Sequence, residues 1–400
     1  MSWQIVKISD VAKQIRGVSY SAGDVIDKPQ MGYIGLLRAN NITDKGLTFV
    51  DLQYVPESKV SNSQVLHRND ILIAASSGSL SIVGKAGKFN GENHCTFGAF
   101  CKVIRPSSEI DPNYFANYFQ TNVYRKTISS LAAGANINNL RNEHIDDLQI
   151  PLPPLPEQKR IAAILDKADE LKRKREAAIA KLDQLTQSIF EDMFGDASTN
   201  PRQWPTLNLG ELIRTGPQNG LYKPSKDYGS GTPILRIDAF YDGLVTKLDS
   251  LKRLRLTEAE IALFGLAEGD IVINRVNSLE YLGKSALIPE LKEPTVFESN
   301  MMRFNIDPNR LNPVYLVNYL QTKFIKNQIL SYAKNAVNQS SINQQDVKAL
   351  LVNLPPLSLQ NSFLKRLLAI EKIKSENKQA LIKQNNLFTS LQHQAFAGHL

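Results

Sequence analysis

Between residues 151 and 195 the apolar positions keep helical spacing for longer than an ordinary globular helix does. Ile161, Ile164, Ala168, Leu171, Ala178, Leu182, Leu185 and Ile189 stand mostly three or four residues apart. The run is preceded by Pro151-Leu152-Pro153-Pro154-Leu155-Pro156. Prolines lack an N–H and restrict the residue before them, so this cluster cannot be helix interior. Glu157 then places an acid in the first helical turn, where the helix dipole favours it. No Pro or Gly follows until Gly195. About 38 residues at about 1.5 Å each predict a rod of roughly 57 Å, whose stripe needs a partner.

A second copy supplies it. Leu152-Pro153-Pro154-Leu155 returns 202 residues later as Leu354-Pro355-Pro356-Leu357, and at the same offset Gln158 becomes Gln360, Leu165 becomes Leu367 and Phe194 becomes Phe396. The second run carries its own stripe through Phe363, Leu367, Ile370, Ile373, Leu381, Leu387 and Leu391. Two such helices bury each other most simply as a coiled-coil pair. In that pair Ile161, Ile164, Ala168, Leu171, Leu182 and Leu185 are expected against Phe363, Leu367, Ile370, Leu381 and Leu387.

Ahead of each rod the pattern changes to short apolar runs separated by Gly, Pro, Asn and Asp. Strands are expected over 33–37, 47–50, 70–75, 81–86 and 97–104, with Ser9 capping a short helix over 10–14. Asp111-Pro112-Asn113-Tyr114 opens a helix with Tyr114, Phe115, Tyr118 and Phe119 on its apolar side. A small loop over 131–139 and a short helix near 142–148 then lead to Pro151. The second third repeats this frame. Trp3 matches Trp204, Leu37-Arg38 matches Leu235-Arg236, and Gly84-Lys85 matches Gly283-Lys284. The helix from Asp111 to Thr121 likewise matches the one from Asn312 to Thr322. The chain therefore reads as α+β, each domain mostly antiparallel sheet followed by a rod: 1–150, 151–196, 197–353 and 354–400.

Composition narrows the function classes. Four hundred residues, 42% hydrophobic and 22% charged, are ample for two cores. No run of about 18 apolar residues is present, and residues 1–7 lack a secretory h-region, so no membrane association and a cytoplasmic home are expected. Cys95 and Cys101 have no Cys or His at ligand spacing and read as buried reduced thiols rather than a metal site. A net charge of +8 and a pI near 9.2 permit a polyanionic partner.

Catalytic motifs are missing. Asp111-Pro112-Asn113-Tyr114 is similar to the Asp/Asn-Pro-Pro-Tyr/Phe box of amino-methyltransferases, but an N-cap followed by Pro at N1 accounts for it, and no glycine loop for a methyl donor accompanies it. There is no phosphate-binding Gly-x-x-x-x-Gly-Lys-Ser/Thr loop. His67, His94, His144, His393 and His399 lack catalytic or metal spacing and read as surface or cap residues. Polar loops able to read a nucleic-acid edge remain. In the first domain they hold Ser19, Tyr20, Arg38, Asn40, Asn41, Ser76, Ser77, Ser79, Asn136, Asn138, Asn139 and Arg141. In the second they hold Asn219, Tyr222, Lys223, Arg236, Asn274, Arg275, Asn277, Ser278, Asn338, Gln339 and Ser340. Arg suits guanine, Asn and Gln suit adenine, and Ser and Lys suit phosphate. Turn-making alone could also place Gly, Ser and Asn there. Lys85 and Lys284, fixed in the Gly-Lys pair, are expected to contact phosphate in both domains.

The two proline-leucine boxes, the helices behind them and the repeated domains resemble the specificity subunit of a Type I restriction–modification system. The strongest match is Pro151-Leu152-Pro153-Pro154-Leu155-Pro156-Glu157-Gln158-Lys159-Arg160-Ile161 with Ile164-Leu165-Asp166. The C-terminal copy departs from it, with Ser358-Leu359-Gln360-Asn361-Ser362 in the place of Pro-Glu-Gln-Lys-Arg. The resemblance implies two target recognition domains, related by a pseudo-two-fold, that each read half of a split asymmetric site in double-stranded DNA. It further implies antiparallel helices that set the half-site spacing and dock two modification subunits, with restriction subunits joining. No cofactor is then expected on this chain; S-adenosylmethionine, ATP and Mg belong to the partners. A self-contained adenine methyltransferase and a protein-only coiled-coil adaptor are the competing readings.

Overall fold

The computed structural model of the chain describes residues 3–132, 138–336 and 339–400. They form two compact units, residues 1–178 with 377–400 and residues 179–376. In the first, Gln4–Lys7 pairs antiparallel with Gln149–Leu152 and closes the domain at its chain ends. An antiparallel sheet runs in the order Ala12–Arg16, Cys101–Pro106, Ile71–Ala74, Ala86–Lys88. A second sheet sets Tyr33–Leu37 between Cys95–Phe97, which is parallel to it, and Gln53–Pro56. The second unit repeats the frame with Thr206–Asn208 on Leu351–Asn353, a larger sheet built on Ile271–Asn274 and Met301–Ile306, and Tyr228–Leu235 parallel to Val296–Phe297. The helix Glu258–Phe264 is an addition of the second unit.

The central strands are buried on both faces, and side chains alternate between faces along a strand. Ile71 and Ile73 face a core with Tyr114, Phe115, Phe119 and Tyr124, while Leu72 and Ala74 face another with Leu37, Phe89 and Phe97. This is why residues 71–75 read as one unbroken apolar run. Ile271 and Ile273 against Val272 divide in the same way.

The long helices are Leu155–Phe194 and Leu357–Ala397. Each begins on a buried glutamine. Gln158 accepts from the Asp111 amide at 2.7 Å and donates to the Pro153 carbonyl at 2.8 Å. Gln360 does the same with the Asn312 amide and the Pro355 carbonyl, both at 2.7 Å. Asp111 and Asn312 are N-caps of the domain helices Pro112–Tyr118 and Pro313–Leu320, so each glutamine ties the long helix to its domain. Tyr114 and Tyr315 add bonds to the carbonyls of Pro151 and Asn353, each 2.8 Å.

The other long helix completes each core. Phe396 packs 5.0 Å from Tyr114 in the first unit, and Phe194 packs 4.7 Å from Tyr315 in the second. Within each unit the two helix segments run antiparallel. Arg160 donates to the Leu400 carbonyl, Lys172 lies over the Phe388 ring and Arg175 reaches Gln384. In the second unit Asp183 pairs with Lys374, and Phe190 meets Phe363.

Several expectations are corrected. Ile161, Phe363 and Ile370 are buried, and Ile164, Ala168, Leu182, Leu367 and Leu381 are half-buried, but Leu171, Leu185 and Leu387 are 45%, 45% and 57% exposed. The seam beside them is polar, with Arg175 bonded to Gln384 and Asn377, each at 2.9 Å. The first short helix is Ile8–Val11, starting two residues earlier than expected, because the Asp10 carboxylate accepts from the Lys7 amide at 2.9 Å. Residues 81–85 are turn, not strand. Gly84 has φ +76°, and a Cβ there would stand 2.1 Å from Ile128. The run over 97–104 is broken at Gly98, and a separate helix, Asn122–Ala132, follows the first.

Replacing either glutamine with leucine strands a buried amide and carbonyl. Gln158→Leu and Gln360→Leu should each cost about 2–4 kcal/mol, read as a drop in denaturant midpoint, with the first variant loosening the first unit and the second variant the second.

Candidate nucleic-acid interface

In both domains the loop residues gather where a parallel strand pair ends. Arg38 follows Tyr33–Leu37 and Gly98 follows Cys95–Phe97, and the Gly98 amide donates to the Leu37 carbonyl at 2.9 Å. The neighbouring chain docks there too, Val18 N–H donating to the Phe97 carbonyl at 2.8 Å. Gly17 permits this approach, since a Cβ on it would lie 2.1 Å from the Gly98 oxygen. The result is a cleft of about 150 Å³ lined by Tyr20, Arg38, Ala39, Asn40, Ser76, Gly98, Phe100 and Cys101. Four residues expected to read DNA, Tyr20, Arg38, Asn40 and Ser76, thus meet in one place.

The cleft has the chemistry of an anion-binding, stacking surface. Arg38 has no ionic partner among the described residues, and its Nε is buried without a hydrogen bond. Phe100 is 64% exposed beside it. Gly98 leaves room for the Tyr20 ring, whose nearest atom would stand 3.1 Å from a Cβ at that position. Ser76 and Ser77 form a short strand paired with Asn139 and Asn138. Nothing in the sequence singled out Gly98 or Phe100, which lie inside a run that reads as one strand. Both cysteines are buried, and burial raises their pKa, to about 11 for Cys95 and about 12 for Cys101.

The second domain keeps the backbone and changes the side chains. Glu298 N–H donates to the Leu235 carbonyl at 3.0 Å, Leu221 N–H to the Phe297 carbonyl at 2.9 Å, and Gly220 makes the same close approach as Gly17. Arg236 lies where Arg38 does, but its Nε is 3.5 Å from a Glu298 carboxylate oxygen. Arg275 donates to the Ser299 carbonyl at 3.2 Å. Val276–Asn277 pairs with Gln339–Ser341, bringing Asn277 beside Ser340. Tyr222 is 77% exposed, and Asn219 and Ser278 are also exposed.

Other expected contacts have internal work. Asn41 is buried, accepting from the Arg38 amide and donating to the Thr48 and Val50 carbonyls, so it holds the turn. Asn274 and Ser340 are buried. Lys223 pairs with Glu260 at 2.6 Å. Arg141 caps a short helix beside His144 and pairs with Glu143 at 3.2 Å. Ser19 and Ser79 are exposed, Ser79 bonding to Ser81. Asn136 and Asn338 lie outside the described residues, as does the side chain of Asn138.

The matched lysines differ. Lys284 Nζ lies 3.9 Å from the Tyr241 ring centroid and 4.7 Å from that of Phe240, and donates to the Ile237 carbonyl at 2.6 Å. Burial lowers its pKa. Here it is turned onto its own domain. Lys85 instead pairs at 2.9 Å with Asp44, a carboxylate 85% exposed. No cluster suited to a metal ion and no helix long and apolar enough to cross a membrane is found among the described residues.

Residues 1–181 and 201–384 match the family model for the Type I restriction modification DNA specificity domain. The chain is 33% identical over 419 residues to the Type I restriction enzyme EcoKI specificity subunit of Escherichia coli K12, covering all of this chain and 89% of that one. It is also 33% identical over 420 residues to the StySPI specificity subunit of Salmonella potsdam, with the same coverage. Its fold is similar to a chain from a type I R-M system solved to explain complex assembly (TM-score 0.60, 16% identity, 100% and 98% coverage). It is similar as well to the S subunit from M. genitalium (TM-score 0.55, 14% identity, 99% and 96% coverage).

The two lysines can be told apart by stability. Lys284→Met, which removes ring contacts and a half-buried bond, should destabilise the protein by about 1–3 kcal/mol. Lys85→Met, which removes one surface pair, should stay within about 1 kcal/mol. Chemical denaturation of both variants checks the difference.

Proposed function

The chain belongs to the Type I restriction modification DNA specificity family, and from that membership we propose that each of its two domains reads one half of a bipartite, asymmetric site in double-stranded DNA. It is a specificity component rather than a catalytic one, as its relatives are named. The observation that carries the reading is the first domain's cleft, where an unpaired guanidinium, an exposed phenylalanine and polar loop residues converge. Arg38 supplies charge and a fork that fits guanine or phosphate, Asn40 and Ser76 supply hydrogen bonds, and Lys85 exchanges its exposed partner for a phosphate. In the second domain Arg236 holds the position of Arg38, and Arg275, Asn277 and Tyr222 are the candidate contacts on the corresponding loops.

The finer assignments are part of the same proposal. Target recognition domains span 1–150 and 197–353, and the helices behind them set the separation of the half-sites, as dimer spacing does elsewhere. Two modification subunits dock on the helices and adjoining surfaces, and restriction subunits join that core. Exposed apolar residues on the helices support this docking: Leu171, Ile382 and Leu387 in the first unit, and Leu185, Leu368 and Ile373 in the second. The methyl donor, ATP and Mg act on those partners. The protein works in the cytoplasm on chromosomal and invading DNA.

Methylome sequencing of a host with this chain and its modification subunit, against a host without the chain, should reveal a bipartite adenine-methylated motif that depends on it. No new motif beside an active modification subunit would favour the adaptor. Within that motif, Arg38→Met in the assembled complex should weaken binding by roughly 10- to 100-fold through the first half-site only. Competition with DNA altered in one half-site at a time measures it, and equal loss at both halves would remove Arg38 from its place.

A further inference from the structure

The two domains share a backbone frame at the site but differ in how the arginine is partnered. In the first, position 98 is glycine, Tyr20 packs over it, and Arg38 has no ionic partner among the described residues. In the second, the matching position is Glu298, and the residue matching Tyr20 is Lys223, drawn away to Glu260 at 2.6 Å. Glu298 is only 8% exposed. One carboxylate oxygen accepts from the Ile237 amide at 2.6 Å, and the other lies 3.5 Å from Arg236 Nε, an ion pair without a hydrogen bond. That Nε is therefore buried and unbonded, as Arg38 Nε is, and the two arginines differ in the charge beside them.

The frame itself does not require this acid. Gly98 makes the same backbone contact with no side chain, and the Arg38 turn is held instead by Asn41, which accepts from the Arg38 amide at 3.0 Å. Burying a carboxylate is costly, and burial is the largest influence on Glu298, raising its pKa; the Ile237 amide, Arg236 and Lys252 favour its charge, and Asp238 opposes it. Such a group earns explanation when a glycine would serve the fold.

We propose that Glu298 is a specificity-determining positioning residue of the second domain: it compensates and orients Arg236 and pins the Ile237 amide. The second domain then meets its half-site with a fixed, charge-balanced edge where the first presents an unpaired cation. This rests on the reading that each domain contacts DNA. Lys284, which binds the Ile237 carbonyl, holds the same turn from its other side. A compensated arginine attracts unrelated phosphate less, so its contribution falls on base discrimination rather than on general affinity.

The test uses the full chain assembled with its modification subunits. Glu298→Gln keeps an acceptor for the Ile237 amide and removes the charge. It should steepen the salt dependence of binding by about one phosphate contact, a ~3-fold larger loss between about 50 and 200 mM salt. Discrimination at the second half-site should fall ~3-fold with the first unchanged. In an Arg236→Met background the same substitution should change neither quantity. An unaltered slope and ratio for Glu298→Gln, or an effect that persists without Arg236, would overturn the proposal. Arg236→Met alone gives an independent arm should the glutamine variant fold poorly. Arg236, balanced by Glu298, contributes little phosphate attraction of its own, so the salt slope should shift less than for Arg38→Met; equal shifts would overturn the proposal as well. Exchanging residues 197–353 for a relative's domain separates the two levels: a second half-site that does not follow the exchange sinks the reading itself.

Discussion

Everything in each half hangs on a buried glutamine at the root of a long helix. Gln158 and Gln360 each satisfy the amide at the N-cap of a domain helix and a carbonyl of their own proline box. The prolines leave carbonyls without a local donor, and the domain helix starts with an amide that its own cap cannot bond. A single amide side chain meets both needs. Glutamate could accept but not donate, and leucine could do neither. Each domain core is then finished by the end of the other long helix, through Phe396 or Phe194. A domain in this chain is therefore not a bead on a string; its core includes pieces of both helices.

Anchored in this way, the frame can vary its loops at little cost. Gly17 and Gly220 are fixed because backbone passes within a Cβ's reach of them, and Gly84 and Gly283 because a helix isoleucine does. The residues between are free of that demand. Tyr20 packed over Gly98, and Glu298 with Lys223 turned to Glu260, are two arrangements at one backbone position. The arrangement there, and the partner it gives or denies to an arginine, is where the two halves diverge chemically.

The long helices, the repeat and the domain helices were legible because they are set by strong local rules: proline exclusion, helical periodicity, and Asp or Asn capping a helix that opens with proline. The Asp111 and Asn312 caps match that reading bond for bond. Strand ends were less legible. Residues 81–85 are apolar enough for a strand, yet Gly84 turns the chain under Ile128, a contact made with a residue 44 positions away. Site residues were legible as loops but not as roles. Nothing local distinguishes Asn40, on the cleft, from Asn41, buried one residue later under three hydrogen bonds. Lys85 and Lys284 stand in the same Gly-Lys pair, but the first pairs with Asp44 and the second turns to aromatic rings.

The helix seam carries the same lesson about what periodicity does not decide. A stripe of leucines predicts an apolar interface, but Leu171, Leu185 and Leu387 stand outside it while Arg175 bonds to Asn377 and Gln384. A uniform leucine seam would tolerate sliding by a heptad, since each register buries similar area. An arginine that needs two particular carbonyl oxygens does not. Loss of register would strand a half-buried guanidinium, and the pair Lys374–Asp183 in the second unit adds the same constraint. Each unit thus gives up apolar burial within its pair of helix segments, keeps leucines exposed, and gains a single alignment of the segments built into its own core.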